Sequence, residues 1–99
     1  MKYHIILKKA NYNIPTLIHP TAYISPDVEM GCGCIIRTKA VVSRYVKLRE
    51  SVIVNIGVLI DHDCTLGDCC HVLMGAVVRN KVNVPQKTWI ASNQVYEKE

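Results

Sequence analysis

Every sixth residue of this chain, counted from Ile18, is a large aliphatic: Ile24, Met30, Ile36, Val42, Leu48, Val54, Ile60, Leu66, Val72, Val78, Val84 and Ile90 follow without exception. With roughly one residue in three being Ile, Leu, Val or Met, such a run has random odds of about one in a million before choice of phase, so the chain is a repeat. No stretch shows the sustained stripe of about 3.6 residues that marks an amphipathic helix.

The repeat has an internal grammar. Four residues after each aliphatic comes a small one: Ala22, Val28, Cys34, Ala40, Val46, Val52, Val58, Cys64, Cys70, Ala76 and Val82, with only Thr88 and Gln94 weakening the rule. Alternate residues of a strand face opposite ways. Val58 and Ile60 therefore point inward, Leu59 and Asp61 point outward, and His62 and Asp63 are left to turn the chain. Each hexad is one short strand and a two-residue corner. The corners hold Pro20, Pro26, Gly33, Gly57, Asp63, Gly75 and Asn93, residue types suited to tight and left-handed bends. Three such sides close a coil of eighteen residues, and coils stack as parallel strands.

On these hexads the chain resembles the hexapeptide-repeat proteins over residues 18 to about 95. That resemblance implies an all-β fold, a single-domain left-handed parallel β-helix of about four coils, built here on residues 14–99. The left hand comes from the resemblance alone, since the general rule for parallel crossovers is right-handed. No inserted loop breaks the repeat, unlike in many members. Residues 1–13, MKYHIILKKANYN, fall outside it and read as an N-terminal arm or cap, the remnant of a join to a missing domain, while the terminal YEKE blunts the last coil. The resemblance further implies a homotrimer of prisms packed side by side.

The densest chemistry lies in IDHDCTLGDCCHV, residues 60–72, with two His, two Asp and three of the chain's five Cys. Spacing alone suits a metal, because imidazole, thiolate and carboxylate all bind zinc. Side-chain direction argues against it: Cys64 and Cys70 join Cys34 on small inward positions, where Cys behaves as a compact hydrophobe. Only Cys69 is left to join His62 and His71 outside, so no metal is expected. Cys32, at a corner, is expected as an exposed thiol. Trp89 and the Tyr residues read as packing groups at a subunit face. His4 and His19 are given no role.

The stretches TLIHPTAYISPDV and VNIGVLIDHDCTLGDCCHVLMGAVV look like the sialic acid O-acetyltransferase and nucleotide-amino-sugar N-acetyltransferase family. The match rests on Asn55, Gly57, residues 60–64, Gly67, Asp68, His71, Gly75 and Ala76. It implies acetyl transfer from acetyl-coenzyme A (acetyl-CoA) to a sugar amine or hydroxyl, in clefts between neighbouring prisms. His62, outward at a corner, suits the general base, since a neutral imidazole accepts a proton near neutral pH. Asp63, or a carboxylate from another strand, would orient it as the acid of a triad does. Asn80 lies one coil above His62, at a position where the family usually has Gly with its N–H facing the thioester carbonyl. Asn tolerates a left-handed backbone better than most residues, although its side chain would crowd the thioester. His71 and Asn55 match residues lining the cofactor or acceptor cleft. Gly75 either lines that cleft or simply serves its corner.

Other functions stay open at this point. The γ-class carbonic anhydrases are also trimeric left-handed β-helices with zinc between subunits, but their ligands include two His five apart, and His62 and His71 are nine apart. A truncated, non-catalytic scaffold, or a subunit completed by a separate nucleotide-sugar-binding polypeptide, is the other alternative. The net charge of +4 is spread over separate Lys and Arg, a poor footprint for nucleic acid. No apolar run approaches the roughly 20 residues of a membrane span, and no secretory leader is visible. A cytoplasmic address with reduced thiols is expected.

Overall fold

The computed structural model describes residues 4–8 and 11–97, with side chains from Pro15 onward. It is a β-solenoid with three walls and no helix among the described residues. Wall A holds β1 (His4–Lys8), β2 (Asn11–Ile18), β5 (Ile35–Ile36), β8 (Ile53–Val54), β11 (His71–Val72) and β14 (Trp89–Ile90), in that spatial order. Wall B stacks β3 (Tyr23–Ile24), β6 (Val41–Val42), β9 (Leu59–Ile60), β12 (Val77–Val78) and β15 (Val95–Tyr96). Wall C stacks β4 (Glu29–Met30), β7 (Lys47–Leu48), β10 (Thr65–Leu66) and β13 (Asn83–Val84). Within wall A, Leu17, Ile35, Ile53, His71 and Trp89 lie in parallel register, four steps of eighteen residues. At the first edge of that wall β1 runs antiparallel to β2. Met1–Tyr3, Lys9, Ala10, Lys98 and Glu99, which the arm and the terminal YEKE include, lie outside the described residues.

The aliphatic and small positions of the hexad converge in one lumen. Ile36, Val42, Val54, Ile60, Leu66, Val72, Val78 and Ile90 are fully buried, as are Cys34, Cys64 and Cys70. Each such Ile or Leu contributes about 1.5–3 kcal/mol relative to exposure. Tyr96 takes the aliphatic position of the last strand and packs, half-buried, against this core.

The inward thiols also act as donors. Cys34 Sγ donates to the Arg49 carbonyl (3.1 Å), Cys64 Sγ to Arg79 (2.9 Å) and Cys70 Sγ to Pro85 (3.0 Å), while the Thr16 hydroxyl donates to Gly31 (2.8 Å). Each acceptor is the carbonyl just before a corner, where the chain leaves its ladder. Small residues with one donor thus complete hydrogen bonding that an aliphatic would leave open. Burial pushes all three thiols up in pKa, against the opposing pull of backbone donors.

From Gly33 onward the second residue of every corner has a positive φ, yet only Gly33, Gly57 and Gly75 are glycine. Lys39, Tyr45, Ser51, Asp63, Cys69, Lys81, Lys87 and Asn93 occupy the same left-handed seat at φ 57–61°, at a cost of roughly 1–2 kcal/mol each. Coil-to-coil bonding helps hold them there: Asp63 N–H donates to the Arg44 carbonyl (3.0 Å), Cys69 to Glu50 (2.9 Å) and Lys81 to His62 (3.0 Å).

One expectation about the corners fails. Cys32 is only 3% exposed rather than an accessible thiol. Its N–H donates to Glu50 Oε1 (3.0 Å) and its carbonyl accepts from Ser51 (2.9 Å), so the corner of the coil above closes over the backbone there. Among the described residues no helix is long and apolar enough to cross a membrane.

Candidate active site

His62 and Asp63 form the corner between β9 of wall B and β10 of wall C, placing the imidazole on an outer edge of the prism. The side chains are 27% and 46% exposed, and His62 Nδ1 lies 2.7 Å from Asp63 Oδ2. An ionised carboxylate only accepts hydrogen bonds, so in the neutral imidazole Nδ1 carries the proton and Nε2 keeps its lone pair. The left-handed backbone of Asp63 turns its carboxylate back onto the neighbouring ring. His62 N–H is held by Asp61 Oδ1 (2.8 Å), which fixes the first half of the corner. The arrangement holds the imidazole in one orientation.

Asn80 occupies the same edge one coil above. The left-handed φ at this corner belongs to Lys81 (59°) and not to Asn80, so the expected reason for tolerating Asn there is corrected: its seat makes no left-handed demand. Lys81 N–H is used by the His62 carbonyl, whereas the Asn80 N–H meets no acceptor among the described residues. Arg44 lies one coil below His62, and Arg79 precedes Asn80.

The remaining site residues are elsewhere. Asn55 follows β8 and His71 begins β11, both on wall A, and the edge between walls B and C is the one edge that wall A does not touch. Asn55 Oδ1 accepts from Ile56 N–H (2.8 Å), closing its own turn. His71 packs against Trp89 of the next coil, ring centroids 4.9 Å apart. That contact was missed in the sequence, although adding eighteen to 71 gives 89. Gly75 is at the corner between walls A and B with φ 71°, and a Cβ there would run into the Asn93 side-chain oxygen. Both facts give this glycine a corner role.

One chain therefore brings together His62, Asp63 and Asn80 and holds Asn55, His71 and Gly75 apart from them. Between the two groups, apolar side chains are exposed alongside Arg37, Lys39 and Arg79: Tyr23, Val41, Leu59 and Val95 on wall B, Ile56 and Met74 on the shared corner, and Trp89 on wall A. Among the described residues no three His, Cys, Asp or Glu of one chain gather closely enough to hold a metal ion.

No protein-family model matches the chain. Among solved structures, a histidine-to-asparagine mutant of perosamine N-acetyltransferase from Caulobacter crescentus, in complex with CoA and GDP-perosamine, is similar with a TM-score of 0.73 at 23% identity, over 90% of this chain and 51% of that one. The acetyltransferase domain of PglB from Neisseria gonorrhoeae is similar with a TM-score of 0.69 at 27% identity, over 89% of this chain and 52% of that one. The same domain in complex with acetyl coenzyme A gives 0.66 at 26% identity, over 86% and 52%. The chain shares the β-solenoid of these sugar acetyltransferases and spans about half their length.

Proposed function

We propose that this protein is an acetyltransferase that moves an acetyl group from acetyl-CoA to a sugar amine or hydroxyl, with His62 as general base. The observation that carries this reading is the edge itself: an imidazole oriented by Asp63 at 2.7 Å, one coil beneath an Asn80 N–H that lacks an acceptor among the described residues. Acetyl-CoA supplies an activated acyl group as a thioester. His62 Nε2 takes the proton of the acceptor's amine or hydroxyl as that atom bonds to the thioester carbonyl carbon; Asp63 stabilises the imidazolium that results, which returns the proton to the CoA sulfur as the C–S bond breaks. The Asn80 N–H is positioned to donate to oxygen that gains negative charge. Asn55, His71 and Gly75 serve as binding residues of the same cleft.

Because wall A does not reach the His62 edge, the cleft needs two copies. The reading is a homotrimer in the cytoplasm, in which the apolar strip around walls A and B is buried and one copy's wall A meets the next copy's His62 edge. A nucleotide-linked sugar suits the acceptor because GDP-perosamine accompanies CoA in one similar structure.

Calorimetric titration with acetyl-CoA, run beside a transfer assay on a nucleotide-linked amino sugar, tests this on wild type and His62→Ala. Binding should persist in the variant while transfer falls by about 10²–10⁴. The other reading is a scaffold or a subunit completed by a separate nucleotide-sugar-binding polypeptide. Wild type that binds no acetyl-CoA would establish it over the first.

A further inference from the structure

The outward column of wall A is apolar except at one point. Leu17, Ile35, Ile53, His71 and Trp89 stack at one-coil spacing, so the imidazole sits between an isoleucine below and an indole above. The two rings meet in a T-shaped contact at 4.9 Å with their planes 64° apart. His71 Nε2 is sealed from solvent without a nitrogen or oxygen partner among the described residues, whereas Nδ1 of the same ring is not sealed.

A buried ring nitrogen with nothing to bond costs stability whether it carries a proton or a lone pair. The indole changes that balance. Aromatic faces are negative and edges positive, so a T-shaped pair is most favourable when the edge that meets the face is the most positive available, an N–H. A bare lone pair at the same place would find no donor.

We infer that the buried Nε2 edge of His71 is the one turned to the indole face, which makes Trp89 a positioning residue for His71: the indole holds the imidazole as its Nε2–H tautomer and leaves Nδ1 as a bare hydrogen-bond acceptor toward the ligand. This rests on the reading of wall A as part of the shared cleft, and it fixes what His71 does there. The ring accepts a hydrogen bond from an amide N–H or hydroxyl of the bound ligand. It does not supply the donor for a developing oxyanion, which falls to the Asn80 N–H.

The tautomer is read directly by long-range proton–nitrogen correlation on protein labelled with nitrogen-15 in histidine, at a pH where the imidazole is neutral. Wild type shows the proton on Nε2. Trp89→Phe, which keeps a face, retains that state, and Trp89→Leu shifts His71 toward a mixture of tautomers. In calorimetry Trp89→Leu weakens acetyl-CoA binding about two- to fivefold and Trp89→Phe restores it, the loss expected of one N–H···π contact. A proton on Nδ1 in wild type overturns the inference without any variant, as does an unchanged tautomer in Trp89→Leu. Because the spectrum needs neither cofactor nor turnover, failure of the acetyltransferase reading would show separately, as wild type that binds no acetyl-CoA.

Discussion

The most exacting prediction concerns mixed oligomers. His62 sits on the edge between walls B and C and His71 begins a strand of wall A, so a single prism cannot present both to one ligand. In the proposed trimer, a closed ring built by a heterologous contact joins each copy's wall A to the next copy's edge. His62→Ala removes the proposed base and with it about 10²–10⁴ of the rate. His71→Ala removes one hydrogen bond to the ligand, leaving on the order of a tenth of the activity. When equal amounts of the two variants assemble at random, half the edges and half the walls are intact, so about one site in four has both. The expected rate is about a quarter of wild type. If both residues served a site within one chain, no such site could form, and the mixture would show only about a twentieth, the average of the two parents. Co-expression at equal levels, purification through a tag common to both variants and initial rates of acetyl transfer on the unfractionated mixture distinguish the outcomes. A rate at the parental average refutes the shared cleft.

Three further results follow from the same geometry. Of the five cysteines only Cys69 is exposed, so a thiol reagent applied to native protein should label one site rapidly, mapped by peptide mass spectrometry; a second fast site would contradict the inward placement of the rest. Burial raises the pKa of Cys34, Cys64 and Cys70, so the fold favours their neutral form. Their contribution to stability is fully present below the ordinary thiol pKa of about 8.5 and is lost as pH rises through the elevated folded values. Urea midpoints should therefore decline on the alkaline side, and less steeply when Cys64 is replaced by alanine; identical slopes would refute the assignment. At Gly67 a Cβ would lie 2.6 Å from the Gln86 backbone nitrogen. Gly67→Ala should thus cost about 1–3 kcal/mol, lowering Tm by several degrees in a thermal melt, whereas no shift would mean that the coil above yields freely.

Much of this molecule is legible in its sequence because the hexad constrains side-chain direction and little else. Ile60, Cys64, Leu66 and Cys70 go inward and Cys69 outward, as alternation requires. The finer features depend on what a corner packs against, which a period does not encode. Cys32 has the corner position of His62 but is buried. Within a corner the hexad does not say which of two residues takes the left-handed backbone, and it is the second, Lys81 and not Asn80. Eight non-glycine residues accept that conformation, so scanning for Gly and Asn alone would have missed most of these turns.

The position of the candidate site residues was available in principle, but at a different period. Counting by six assigns a residue to lumen, surface or corner; counting by eighteen assigns it to a wall. By six, His62 and His71 are both simply outward. By eighteen, His62 shares its edge with Arg44 and Asn80, while His71 shares a wall with Ile35, Ile53 and Trp89. The second count separates an edge of polar, titratable groups from a wall whose outward column is apolar but for one imidazole. In the proposed trimer, burying Ile53 and Trp89 against a second copy draws that imidazole into the contact as well, so the surface proposed to drive association is also the one that delivers His71. With a lumen filled by Ile, Leu, Val and Cys, the proposed site lies on the outer surface, between copies.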